Sequence, residues 1–294
     1  MPPATRCDPW TTRRLLTWTA EFFAEKHLEH PRLCAEMLLA HVLGVPRLRL
    51  YMEADRPASP GELDAYRALV RRAADHEPVD YLVGQAPFFS MWLKVTQATL
   101  IPRPSSETIV EHVITTHRAG GDAAPRIAEI GTGSGAIAIA LARHLPDAKL
   151  IATDISDAAL AVARDNAAAQ GVAERIDFRR GDLYEPLAGE ALDWLVSNPP
   201  YISDAEWAEV PANVREHEPS LALRGGPDGL ACLRPLIAGA AAHLAPAGRI
   251  AFEIAASQGD AVLELARQAG LRQPHILKDH ENLPRVLAAQ VPAA

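Results

Sequence analysis

Cysteine is scarce and irregular in this chain: Cys7, Cys34 and Cys232 are widely separated and odd in number. That excludes a disulfide framework and a cysteine-built metal site, and it points to a reducing compartment. An excess of basic charge is also missing. Lys and Arg number 29 against 37 Asp and Glu, a formal net charge of −8, which argues against a broad surface for nucleic acid; Arg13-Arg14 and Arg71-Arg72 read as solvated helix faces. No apolar run reaches membrane-spanning length. The opening Met1-Pro2-Pro3 lacks the charged-then-apolar pattern of a leader. The expectation is a cytoplasmic protein without a membrane or direct nucleic-acid partner. His27, His30 and His41 have no coherent ligand spacing, so no metal is expected. At 294 residues, 48% hydrophobic and 22% charged, the chain suits one large globular domain and one small one.

Residues 1–84 read as the small domain, all helical. Leu15, Leu16, Trp18, Phe22 and Phe23 carry one helical stripe, and Cys34, Met37, Leu38, His41, Val42 and Leu43 a second that Gly44-Val45-Pro46 stops. Leu48–Met52 reads as a short link. Ser59-Pro60-Gly61-Glu62 is a capped helix start, followed by Leu63, Tyr66, Leu69 and Val70 on one face. With no catalytic constellation of its own, this domain reads as a recognition or docking element.

Residues 85–104 read as a structured β-hairpin linker. Phe88–Val95 has the aromatic and β-branched content of a strand, with Thr99-Leu100-Ile101 as its expected partner. From 105 the chain reads as a third, catalytic segment running to 294. Pro104 initiates a helix carrying Ile109, Val110, Val113 and Ile114. Arg103 and Glu107 then flank the helix start, either as capping chemistry or as a wall of a site.

From Arg126 the order is strand, glycine loop, helix, strand, acid. Ile127–Ile130 is a buried strand, Gly131-Thr132-Gly133-Ser134-Gly135 the turn, and Ala136–Leu145 a small-residue helix. Lys149–Asp154 is the next strand, and Asp154 stands about 20 residues past the glycines, where an acid reaches ribose hydroxyls. A glycine loop alone is weak evidence, and Ala136 makes this one fit a dinucleotide pattern as well. A helix from Ser156 to Gln170 leads to the strand Ile176–Asp182; Asp182 is placed to accept from an adenine amino group with Leu183 against the ring, or else forms a Gly-Asp turn.

The stretch that decides is Ser197-Asn198-Pro199-Pro200-Tyr201, at the mouth of the buried strand Leu192–Val196. Pro199 pushes Asn198 toward an extended conformation, and both proline rings fix their own φ, so the backbone is nearly rigid. It aims an amide, a carbonyl and an aromatic ring, a set suited to a planar group bearing an NH2. Hydride transfer has no evident use for this loop, whereas an S-adenosylmethionine-dependent methyltransferase needs a loop that positions its nucleophile. Leu230–Leu244 then reads as a helix, Gly248–Ile254 as a strand, Gln258–Gln268 as a helix, and His275–Leu277 with Val286–Ala289 as a closing pair. The fold class is α/β, a seven-stranded Rossmann-like sheet of the class I methyltransferase type with a small N-terminal helical domain.

Together these segments resemble the HemK-type protein-(glutamine-N5) methyltransferases over nearly the whole chain. The likeness is carried by Tyr81–Gln85, Arg103-Pro104 to Glu107, Glu129–Gly135, Val196–Tyr201, the long block Glu218–Leu230 and Glu253-Ile254. It implies methyl transfer from S-adenosyl-L-methionine, leaving S-adenosyl-L-homocysteine, to the glutamine of the Gly-Gly-Gln motif in peptide chain release factors. It further implies cofactor contacts from Glu129, the loop Gly131–Gly135, Asp154, Ile155, Asp182, Leu183 and Asn198, and a substrate site built from Asn198, Pro199, Pro200, Tyr201, Arg103 and Glu107. In the family an acid and Thr usually stand where this chain has Ser105 and Ser106, an acid where it has Arg224, and a Gly after Lys278-Asp279 where His280–Arg285 shows none.

An amide nitrogen is a poor nucleophile because its lone pair is delocalised into the carbonyl. If the Asn198 side-chain oxygen and the Pro199 carbonyl accept its two N–H groups, they orient the nitrogen and stabilise the charge developing there, with Tyr201 packed on the amide plane. No general base is required. The alternatives are a ribosomal-protein glutamine methyltransferase, a DNA adenine-N6 methyltransferase, and a non-catalytic binding protein that retains the fold.

Overall fold

The computed structural model describes residues 9–120 and 124–293, which group into two compact units. Cys34 and Cys232 are free thiols; Cys7 lies outside the described residues. No described helix is long and apolar enough to cross a membrane.

The first unit contains the helices α1 (Thr12–Glu25), α2 (Pro31–Leu43), α3 (Arg47–Met52), α4 (Pro60–Ala74) and α5 (Val79–Val83). Local chemistry sets their ends. Thr11 caps α1 by accepting from the Arg14 amide, Gly44 closes α2 in the left-handed region, and Ser59 with Glu62 forms a reciprocal capping box on α4. Leu16, Phe23, Leu38, Leu39 and Tyr66 are fully buried in its core, each large apolar side chain contributing about 1.5–3 kcal/mol. The segment expected to be a link, Leu48–Met52, is instead helix α3. Only Leu50 of it is buried, so it carries no repeating apolar stripe to read. It is held through Glu36, a buried carboxylate of α2 that binds Arg32 at 2.9 Å, Arg47 at 3.0 Å and the Tyr51 hydroxyl.

The second unit opens with a hairpin of β1 (Gln85–Phe88) and β2 (Met91–Lys94), paired in register from Gln85↔Lys94 to Phe88↔Met91. The expected single strand over Phe88–Val95 is therefore broken near its start, at Phe89-Ser90, and Thr99–Ile101 is not its partner. The turn residues Phe89 and Ser90 take φ of 45° and 61°, values that Asn or Gly would have signalled. Phe88, Met91 and Leu93 enter the unit's core.

The sheet elements follow: α6 (Glu107–Gly120), β3 (Arg126–Ile130), α7 (Ala136–His144), β4 (Lys149–Asp154), α8 (Asp157–Ala169), β5 (Ile176–Arg180) and β6 (Leu192–Ser197). Next in the chain comes α9 (Ala212–Arg215), within the segment Ala212–His217 that groups with the first unit; then α10 (Leu233–Gly239), β7 (Leu244–Glu253), α11 (Gly259–Gln268), β8 (Arg272–Lys278) and β9 (Pro284–Gln290). The helix expected over Leu230–Leu244 is shorter, because Leu244 already pairs with Leu192 as the start of β7 and a register shift separates that pair from Arg249↔Trp194.

The seven strands run β5-β4-β3-β6-β7-β9-β8. β5 through β7 are parallel, and β9 is antiparallel to both neighbours. One apolar layer contains residues of α6 and α7, and another contains residues of α10 and α11. The chain passes from β3 to β4 on one side of the sheet and reaches β6 on the other, so a crevice opens at the carboxyl ends where strand order reverses. Register completes the placement. Ile130 stands opposite both Thr153 and Ser197, which brings the glycine loop, Asp154 and Asn198 to one edge.

Candidate active site

The glycine loop after β3 has a backbone only glycine adopts readily: Gly131, Gly133 and Gly135 take φ of 74°, 55° and 83°. At Gly135 space matters too, since a Cβ would lie 2.9 Å from Ile139 Cδ1 and 3.2 Å from Ala163 Cβ. Two carboxylates shape this loop. Glu129, fully inside the protein, accepts from Thr132 Oγ1 at 2.6 Å and from the Ala138 amide at 2.9 Å. Burial pushes its carboxyl up to about 8; those two hydrogen bonds oppose the push, and the charge of Asp154 adds to it. Asp154, at the end of β4, accepts from the amides of Gly133 and Ser156, each at 2.9 Å. It therefore holds the loop as well as facing the cavity beside it.

That cavity, about 260 Å³, is lined by Glu129, Gly131, Thr132, Gly133, Ser134, Asp154, Ile155, Asp182 and Leu183, and by Arg103, Ser106, Asn198, Pro199 and Pro200. Leu183 holds a φ of 47°, and Ile155 is 47% exposed, unusual for so large an apolar side chain. The Asp182 carboxylate has no hydrogen-bond partner among the described residues, its amide instead meeting Glu185.

Asn198 follows Ser197, whose hydroxyl is tied to the Ile130 carbonyl at 2.7 Å. The Asn198 Nδ2 donates to Ser106 Oγ at 3.0 Å, while among the described residues neither its Oδ1 nor the Pro199 carbonyl has a protein donor. Downstream the loop is locked by Gln258 Nε2, which donates to the carbonyls of Tyr201 and Gly229, each at 3.1 Å. A Cβ on Gly229 would sit 2.3 Å from the Tyr201 carbonyl oxygen, so only glycine lets these two segments meet.

Two expected site residues lie elsewhere. Tyr201 is not among the residues lining the cavity: its hydroxyl lies 3.4 Å from Glu253 Oε1 and its ring packs against the apolar layer that holds α10 and α11. Glu107 accepts from the Phe89 amide at 2.7 Å, bracing the hairpin turn. Each follows from the partner nearest in space, a hairpin amide and a buried acid, which local spacing does not reveal.

Residues 14–84 match the PrmC N-terminal domain and residues 104–214 the methyltransferase small domain. A release factor glutamine methyltransferase of Chlorobaculum tepidum is 42% identical over 286 residues, 95% of this chain and 97% of its own length. One from Moorella thermoacetica is 44% identical over 281 residues, covering 95% and 98%. The chain belongs to the release factor glutamine methyltransferase family. A methyltransferase from Pyrococcus furiosus, 18% identical with a TM-score of 0.53 over 69% of this chain and 90% of that one, shares the fold. The seven-stranded sheet with helices is thus a class I methyltransferase fold.

The positions at which this chain departs from the family pattern have definite places. Ser105 and Ser106 both donate to Glu253, at 3.0 and 2.5 Å. Arg224 pairs with Asp204 at 2.6 Å and lies over the Trp207 ring, at the surface. In the turn between β8 and β9, Asn282 takes a φ of 63°, a left-handed conformation that asparagine tolerates better than most side chains. Sequence reasoning gave no role to Glu218, Glu253 or Asn166. Glu218 accepts from the Ile101 amide and pairs with Arg103, fixing that cavity wall. Asn166 joins the hairpin to the glycine loop, meeting both Lys94 backbone groups and the Ser134 carbonyl. Glu218 and Glu253 lay inside blocks that carried the family likeness; Asn166 had no signal beyond being an amide in an otherwise apolar helix face.

Proposed function

We propose that this chain methylates the side-chain nitrogen of the glutamine in the Gly-Gly-Gln motif of a peptide chain release factor, in the cytoplasm, with S-adenosyl-L-methionine as donor. The observation that carries this reading is the pair of acceptors at the cavity, Asn198 Oδ1 and the Pro199 carbonyl, without protein donors among the described residues and on a loop with two fixed φ angles. A primary amide has two N–H groups to give them.

The residues present fit the donor. Gly131 and Gly133 leave open space where side chains would stand, Asp154 has carboxylate lone pairs beyond the two amides it holds, and Asp182, its carboxylate without a hydrogen-bond partner among the described residues, lines the same cavity as apolar Leu183 and Ile155. These features suit a ribose, an amino-bearing ring and its flat faces in turn. S-adenosylmethionine supplies a methyl group on a sulfonium, an electrophile that needs no further activation.

The chain's own work is then positioning. Asn198 and Pro199 accept the glutamine N–H groups, turn the nitrogen lone pair toward the donor, and meet the positive charge that develops with acceptors already in place. The nitrogen becomes acidic once alkylated, so its proton leaves without a dedicated base. The helical N-terminal domain, residues 1–84, docks the release factor, the 85–104 hairpin links it, and 105–294 performs the transfer. Transfer of label from S-adenosylmethionine, compared across a release factor, a ribosomal protein and duplex DNA, tests the reading; label on the release factor is expected, and label only on one of the others refutes it.

A further inference from the structure

Glu253 ends β7 fully buried, and among the described residues no cation lies within ion-pair distance. Arg285, whose charge acts on it, is itself paired with Asp279 at 2.8 Å. Its partners are hydroxyls: Ser105 at 3.0 Å and Tyr201 at 3.4 Å on Oε1, and Ser106 at 2.5 Å on Oε2. Ser106 is also buried, 92 residues from Asn198 and 147 from Glu253, and it bridges the two. None of these contacts is needed to close the sheet, whose β7 backbone is already paired on both sides.

We propose that Glu253 is a positioning residue for methyl transfer, acting through Ser106 to fix which end of the Asn198 amide faces the cavity. The two ends of an amide are nearly isosteric, and the hydrogen count tells them apart. Ser106 Oγ donates to Glu253 Oε2 at 2.5 Å, so its single hydroxyl hydrogen is already spent on that carboxyl oxygen. Ser106 Oγ then has only lone pairs to offer, and the Asn198 group 3.0 Å away must be its NH2. That leaves Oδ1 as the end presented to the substrate. With the relay reversed, Ser106 donates to Oδ1, and Asn198 turns a donor toward a substrate group that is itself a donor. Burial pushes the Glu253 carboxyl up, while the two serine hydroxyls and Arg285 oppose that push. Of the two serines beside Glu253, only Ser106 reaches Asn198, so only it transmits the polarity.

The inference rests on the acceptor reading of Asn198 and is tested beside it. Single-turnover methyl transfer to a release factor at saturating S-adenosylmethionine is measured for the parent, S106A, S106T, E253M, N198A and the double variant S106A/N198A, with cofactor affinity by calorimetry and folding by thermal denaturation. S106A and E253M, which takes away the acceptor for the Ser106 hydroxyl, are expected to slow transfer at least ~10-fold with cofactor affinity unchanged within about twofold. S106T, which keeps the hydroxyl, restores the rate. Because Ser106 acts only through Asn198, the double variant is no slower than N198A. A folded, cofactor-competent S106A or E253M at the parental rate overturns the proposal, as does a double variant slowed by the product of both single effects. A parent that transfers nothing overturns the functional reading itself, and is recognised because the failure precedes any substitution.

Discussion

Replacing Asn198 with alanine separates a positioning residue from a strand-exit turn. The substitution removes one hydrogen bond, Nδ2 to Ser106 Oγ at 3.0 Å, and one acceptor aimed into the cavity. The first loss concerns stability: a neutral bond at a half-buried site contributes about 0.5–1.5 kcal/mol, and the Ser106 hydroxyl keeps its bond to Glu253. The second concerns the transition state. Loss of one preorganised acceptor of this kind lowers kcat by roughly 10²–10³, or about 2.7–4 kcal/mol. Cofactor affinity changes far less, because Glu129, Asp154 and Asp182 belong to other strand ends. Single-turnover transfer at saturating donor, with the melting temperature and cofactor affinity measured separately, reads the three quantities apart. A folded, cofactor-competent variant transferring at near the parental rate would refute the reasoning, and an equally slow parent would favour a binding protein that merely retains the fold.

Three further predictions follow from other parts of the site. Asp154→Ala weakens S-adenosylmethionine binding by roughly 1–3 kcal/mol, since a charge-assisted contact is lost along with the two amides the carboxylate organises; unchanged affinity in calorimetry removes Asp154 from the site. Deleting residues 1–84 leaves cofactor binding largely intact but impairs methylation of the whole release factor, and equal activity on the whole protein sinks the docking role. The third concerns pH. Glu129 is raised to about 8 from its ordinary 4.5, so its contribution to stability is greatest at low pH and is lost as pH rises through that window; His112, half-buried and lowered from 6.5 to about 4, contributes stability that is lost as pH falls. The two slopes oppose each other between pH 4.5 and 6.5, leaving the Glu129 decline uncovered above that, at up to about 1.4 kcal/mol per pH unit. Denaturant melts of the ligand-free protein from pH 6.5 to 8 should fall for the parent and flatten for Glu129→Gln; parallel curves contradict the assignment.

What was legible in the sequence is what is encoded within a few residues. The glycine loop and its strand, the acids at strand ends and the doubly proline-fixed loop all declare their geometry locally, and parallel register then brings them together. The hairpin was misjudged because Phe89 and Ser90 occupy left-handed backbone without glycine or asparagine. Helix α3 escaped because its stability comes from Arg47 and Tyr51 reaching Glu36 on another helix. Tyr201 and Glu107 were read by residue type and place in the chain; their contacts with Glu253 and the Phe89 amide join separate segments and have no local signal. The relay from Glu253 to Asn198 spans three separate segments, so no window of sequence contains it.

The central claim is that the acceptors at Asn198 and Pro199 grip a glutamine amide. Incubating the protein with isotopically labelled S-adenosylmethionine and an unmodified release factor, then sequencing the Gly-Gly-Gln peptide by mass spectrometry, tests it most directly. One labelled methyl group on the side-chain nitrogen of that glutamine is the predicted result; an unmodified Gly-Gly-Gln peptide, with the label on another residue or nowhere, would contradict it.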